Sequence, residues 1–114
     1  MVMECKIFAV KDIRDNSKIV KRMFSLMKKH YENMKKDKFL KDLYDKSNVF
    51  LLFENNEIKG FSTIKKMELS IENGKNSEVK IIGFFSGDTI IEKGFSWGIE
   101  FQKEWIKYCL LESK

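Results

Sequence analysis

The stretch that decides the fold is Val49-Phe50-Leu51-Leu52-Phe53-Glu54-Asn55-Asn56-Glu57-Ile58-Lys59-Gly60-Phe61. Its first five residues are apolar without a break. A run that short, rich in aromatic side chains, reads as a strand covered on both faces rather than as a helix. Four polar residues follow, and Asn tolerates the positive φ of a tight turn. Ile58 to Ile64 resumes as strand, so the stretch is a hairpin.

Working downstream, the second strand of that hairpin runs on to Leu69 or Ile71. Glu72-Asn73-Gly74-Lys75-Asn76 reads as another hairpin turn, with Asn-Gly at its centre. The next strand starts near Ser77 and continues to Ile91. Val79, Ile81 and Gly83 fall on one face; Lys80, Ile82 and Phe84 fall on the other. Gly83 or Gly87 inside such a run suggests a bulge or a close backbone approach. Glu92 to Ser96 is a loop, and a final helix runs from near Ser96 towards Glu112. Trp97, Phe101, Trp105 and Tyr108 form its apolar stripe, widened by Ile106, Cys109 and Leu110.

Upstream, Cys5 to Val10 reads as a first strand. The polar segment from Lys11 to Ser17 offers Asp15, Asn16 and Ser17 as helix caps. From Lys18 to Met34 the apolar positions are Ile19, Val20, Met23, Phe24, Met27, Tyr31 and Met34, spaced as one helical stripe. Asp37 can cap a second, shorter helix with Phe39, Leu40, Leu43 and Tyr44 on its apolar side. The order is β-α-α-β-β-β-loop-α, an α+β class with an antiparallel meander flanked by helices. The 114 residues suit one domain, 1–114.

Composition narrows the function. With 43 % apolar and 34 % charged residues the chain reads as globular. The net charge of +5 fits a solvated Lys-rich surface or an anionic ligand. Arg is scarce, with Arg14 and Arg22 only. Bidentate phosphate and guanine recognition favours Arg, so nucleic-acid binding is weakly supported. Cys5 and Cys109 lie near opposite ends, and no Cys/His group has metal spacing, so no metal is expected. The N-terminus lacks the pattern of a secretory signal, and no apolar stretch is long enough to span a bilayer. The expectation is a cytoplasmic protein with free thiols and no membrane association.

The element order and the hairpin phrase from Val49 to Phe61 together resemble the opening of the GNAT superfamily of acyl-CoA-dependent N-acetyltransferases. The stretch Gly87-Asp88-Thr89-Ile90-Ile91-Glu92-Lys93-Gly94-Phe95-Ser96-Trp97-Gly98 occupies the place of that family's cofactor loop. The resemblance implies acetyl-CoA as cosubstrate and a small-molecule or peptide amine as acceptor. Pyrophosphate at such a loop needs backbone N–H groups at a helix N-terminus, with small residues and a basic neighbour. Lys93, Gly94, Ser96, Trp97 and Gly98 are the cofactor-binding candidates. The backbone N–H of Ile90 or Ile91 is implied as the oxyanion donor. The family's loop motif has Gln or Arg, two residues, Gly, one residue, then Gly or Ala. Counted from Gly98, Phe95 and Glu100 depart from it; counted from Gly94, Ile91 departs. The family continues with a further strand, a helix and two closing strands, so the expectation is a front part lacking the C-terminal strands, active or inactive.

Acyl transfer also needs a base. Asp88 and Glu92 are the candidate catalytic carboxylates, each with an alternative reading as a turn or helix-cap acid. His30, the only histidine, is expected to face solvent. Cys109 is expected in the core rather than as a nucleophile. The alternative function is a non-enzymatic module, a homodimer or a pair with a complementing chain, joined through an exposed sheet edge.

Overall fold

A computed structural model describes residues 3–72, 78–95 and 97–113, without the side chains of Met3, Glu78, Val79 and Glu100. The chain is α+β. Four strands, β1 (Met3–Ala9), β2 (Asn48–Glu54), β3 (Glu57–Glu72) and β4 (Glu78–Ile91), form one antiparallel sheet in the order β1-β2-β3-β4. Helices α1 (Val10–Ile13), α2 (Ser17–His30) and α3 (Lys36–Tyr44) lie between β1 and β2, and α4 (Ile99–Glu112) follows β4.

β2 is the strand with helices over both faces. Val49 and Leu51 join Phe61 and Ile90 under α2 and α3, together with Met23, Leu26, Met27, Phe39 and Leu43. Phe50 faces the other way, with Ile64 and Tyr108. Phe50, Phe61 and Leu51 are fully buried, as a continuous apolar run requires. The turn is built on Asn55 and Asn56 at φ 49° and 66°, the paired positive angles that join strands without splaying them. Asn16 caps α2, its side chain accepting from the Ile19 N–H at 3.2 Å.

Several expectations need correction. The first helical stripe ends at His30, so Tyr31 is not a core residue but half exposed. The segment after β1 contains the single turn α1, which buries Val10 and Ile13. The last helix begins at Ile99, not near Ser96. It meets the sheet along Phe101, Trp105, Tyr108 and Cys109, while Ile106 and Leu110 point to solvent, because α4 has a layer on one side only. The Asn73-Gly74-Lys75-Asn76 turn lies outside the described residues.

α4 is fastened by aromatic edges. The Phe50 ring sits 5.4 Å from Phe101, 5.8 Å from Trp105 and 6.1 Å from Tyr108, all near perpendicular. Tyr108 donates its hydroxyl to Asn48 Oδ1 at 3.0 Å, and Asn48 Nδ2 donates to the Phe8 carbonyl. Burial pushes the Tyr108 hydroxyl up to about 12.

Beyond Ile64 and Ser86, where β2 no longer pairs, β3 and β4 continue as a two-stranded arm. Strict alternation puts Met67, Leu69, Ile71, Ile81 and Phe85 on the side that carries α2 and α3 elsewhere, and here they are exposed. Lys66 points to the α4 side, where its Nζ reaches Glu112 at 3.1 Å. The arm lengthens the molecule to 54 × 32 × 23 Å, with a radius of gyration of 16.1 Å. A compact domain of this length has roughly 13 Å.

Candidate functional site

Gly87 and Asp88 are where the β3–β4 ladder breaks. Ser62 pairs Thr89 and Ile64 pairs Ser86, so two residues of β4 oppose Thr63 alone. That is a β-bulge, as a glycine within the strand suggested. A side chain at Gly87 would collide with the Thr63 hydroxyl and the Lys46 stem. Thr63 is buried, and its hydroxyl has no partner among the described residues. Asp88 is partly buried at the bulge, and its carboxylate makes no side-chain hydrogen bond or ion pair among the described residues.

Past the bulge the alternation can be read from two contacts. The Glu92 N–H donates to the Lys59 carbonyl at 2.7 Å. The Ile90 carbonyl lies against Gly60, only 2.8 Å from where a Cβ would stand. Residues 90 and 92 therefore address β3, and Ile91 turns its N–H to the open edge of β4. Of the two oxyanion-donor candidates, Ile91 is the one facing outward. Ile90 instead buries its side chain in the core beneath α2. Thr89 bonds Ser62 hydroxyl to hydroxyl at 2.9 Å across the strands.

The loop then crosses to α4. Lys93 and Gly94 are exposed in a turn, with Gly94 at φ 93°, an angle that favours glycine. Ser96 lies outside the described residues, as does the Glu100 side chain. Trp97 is half-buried, with its ring 4.5 Å from Phe101 and against Gly60; its indole N–H is buried with no partner among the described residues. Gly98 is the N-cap of α4, so no side chain caps the helix, and a Cβ there would meet nothing within 4 Å. The first N–H groups of α4 thus lack the side-chain acceptor that usually satisfies them.

Glu92 is placed differently from Asp88. Its carboxylate takes Arg22 Nη2 at 2.7 Å and Lys29 Nζ at 3.0 Å, with Lys59 at 3.9 Å. Arg22 also donates its Nε–H to the Ile58 carbonyl at 2.8 Å. The network clasps α2 to the ends of β3 and β4. The hydrogen bond from Lys29, followed by that from Arg22, holds the Glu92 carboxyl below its usual range, against the effect of partial burial. A carboxylate so held is a weak proton acceptor. Of the two carboxylate candidates, Asp88 keeps its oxygens free for a base and Glu92 does not.

The sign of the Glu92 effect follows from its lowered pKa. Stability from the network is present above the unfolded value near 4.5 and is lost as pH falls through the lower folded value. Glu92→Gln is expected to destabilise the protein by about 1 kcal/mol at pH 7, the scale of a partly solvated pair. In urea denaturation that deficit should shrink at pH 3.5. An unchanged deficit there would show that the carboxylate charge is not what matters.

A cleft of about 720 Å³ opens beside this network, lined by Lys18, Arg22, Phe53, Glu57, Lys59 and Glu92 among others. Its charges are largely spent on each other, since Lys59 also binds Glu57 at 2.8 Å. His30 is exposed, and burial pushes the Cys109 thiol up, away from the reactive thiolate. Among the described residues no group of three His, Cys, Asp or Glu side chains could hold a metal ion, and no helix is long and apolar enough to cross a membrane. No family model, no curated protein and no solved structure matches the chain.

Proposed function

We propose that the chain is a GNAT-like acyl-CoA-binding domain, the front part of an N-acyltransferase fold, that holds acetyl-CoA along the outer edge of β4. The observation that carries this reading is one juxtaposition. The outward N–H of Ile91 stands on an open strand edge, and the same strand leads through a short loop to an α4 N-terminus with a glycine cap. A thioester carbonyl can accept from such an N–H, and a pyrophosphate can accept from the free N–H groups of a helix start. Asp88, at the bulge on the same strand, is the carboxylate placed to take a proton from an acceptor amine. Lys93 adds a positive charge beside the loop. The order of strands and helices supports the same reading, element by element.

Titration calorimetry with acetyl-CoA tests it. Saturable heat, competed by free CoA, is expected. Gly98→Asp would supply a capping carboxylate in open space, which helix starts favour, while setting a negative charge against the pyrophosphate. Affinity should fall about tenfold or more, while the melting temperature holds or rises. No heat from the wild-type protein at high concentration would overturn the proposal.

A further inference from the structure

We infer that the apolar face of the β3–β4 arm packs on the same face of the arm of a second copy of this chain, the two arms running antiparallel about a two-fold axis at the Leu69–Ile81 pair. Past Ile64 and Ser86 the arm has two strands only, from Lys65 opposite Phe85 to Glu72 opposite Glu78. A two-stranded ribbon is marginal in water unless something packs on it. One face of the arm carries Lys66, Glu68, Ser70, Glu72 and Lys80, which suit solvent. The other carries Met67, Leu69, Ile71 and Ile81, with Phe85 at the base. That is the pattern of a sheet with one packed face, yet all five of these side chains are exposed.

Area and shape together select the occupant. Side chains of that size, each about half exposed, make a patch on the order of 500 Å2, near the most that a monomer ordinarily shows. Two such patches face to face bury about 1,000 Å2, the least that a specific contact needs. The helical layer ends over the base of the arm, where Asp45, just past α3, holds Lys65 at 2.9 Å. That layer is one helix thick, about 10 Å. A second sheet packs at the same height, about 10 Å away, so a partner's arm continues the layer over the bare face. It fits in one direction only. Parallel arms would drive the helical layers of the two copies into the same space, whereas antiparallel arms set each tip against the end of the other copy's helical layer. A two-fold axis at mid-arm then brings Leu69 onto Leu69, Ile81 onto Ile81 and Ile71 onto Met67, with Phe85 at the rim. The β4 edge at Ile91 and the start of α4 stay clear of this contact, so the dimer and the acyl-CoA reading fail separately.

Charges placed on the axis test the arrangement. Multi-angle light scattering over a dilution series should give a dimer for the wild type that dissociates on dilution. Leu69→Glu sets like charges together at the centre of the contact and should raise the dissociation constant about tenfold or more. Leu69→Lys should do the same. Mixing the two variants should give more dimer than either alone, because glutamate then meets lysine. Ser70→Glu puts the same charge on the opposite face and should leave the dimer intact. Leu69 and Ser70 are both exposed, and circular dichroism checks that each variant is folded. A wild-type protein that stays monomeric at high concentration would overturn the inference, and if it bound anionic lipid vesicles through Leu69 the cover would be a membrane instead. A dimer that Ser70→Glu weakens as much as Leu69→Glu would overturn it too, since its interface would lie elsewhere.

Discussion

Phe50→Ala is expected to remove about 3–5 kcal/mol of stability, the largest loss from any single change considered for this chain. The ring is fully buried in the centre of the sheet, on the strand that both helical layers share. Alanine would delete three perpendicular aromatic contacts at once, with Phe101, Trp105 and Tyr108, and leave a cavity that rigid neighbours cannot fill. A domain of ordinary stability has only about 5–15 kcal/mol in total, so the loss is a large fraction of it. Chemical denaturation measures the loss. Phe85→Ala is the control, because that ring is 56 % exposed, and its cost should stay within about 0.5 kcal/mol. Equal effects at the two positions would mean that α4 does not pack on Phe50 as described.

The second large effect is expected at Gly60. A Cβ there would stand 2.8 Å from the Ile90 carbonyl oxygen, 3.1 Å from the Trp97 ring and 3.2 Å from the Ile91 Cα. Two of those three neighbours are backbone and cannot rotate away. Gly60→Val should therefore cost about 2–3 kcal/mol, towards the upper end of overpacking. It should also push Trp97 off the sheet, visible as a red shift of tryptophan emission. Gly98→Ala, made in open space, should leave emission almost unchanged and cost at most about 1 kcal/mol, the difference between a glycine and an alanine at a helix N-cap. A Gly60→Val protein of full stability would mean that β4 and the loop do not approach β3 so closely.

Much of this architecture was legible in the sequence. Val49 to Phe53 announced a strand covered twice, and Asn55-Asn56 announced its turn. A glycine at 83 or 87 suggested a bulge or a close approach; the bulge falls at 87, while Gly83 stays in regular register with Met67. What escaped had physical reasons. A four-residue helix such as Val10–Ile13 is shorter than the period that would reveal it. Ile106 and Leu110 look like core on a helical wheel, but which side of a helix is covered depends on where the sheet lies. In the site, Asp88 and Glu92 were both visible as carboxylates four residues apart. Their difference was not visible, because the Arg22 that binds Glu92 sits 70 residues away in the chain. Spacing carries no signal for such a pair. The choice of Ile91 over Ile90 as the outward N–H likewise depends on where the bulge resets the alternation.

The sharing of β2 between two helical layers also bears on how the chain assembles. Neighbouring strands β2, β3 and β4 follow one another in sequence, so this part of the sheet can zip locally and fast. The layer of α2 and α3 is made before β2 and can dock as soon as the sheet exists. α4 is different: its seat on Phe50, Ile64 and Phe84 must be complete before it has anywhere to bind. During synthesis that apolar seat is bare until α4 emerges, and transiently exposed apolar surface of this kind favours aggregation. In the finished molecule the same order runs backwards. α4 is the element whose departure leaves the rest of the sheet paired, and its amides would report the first partial opening.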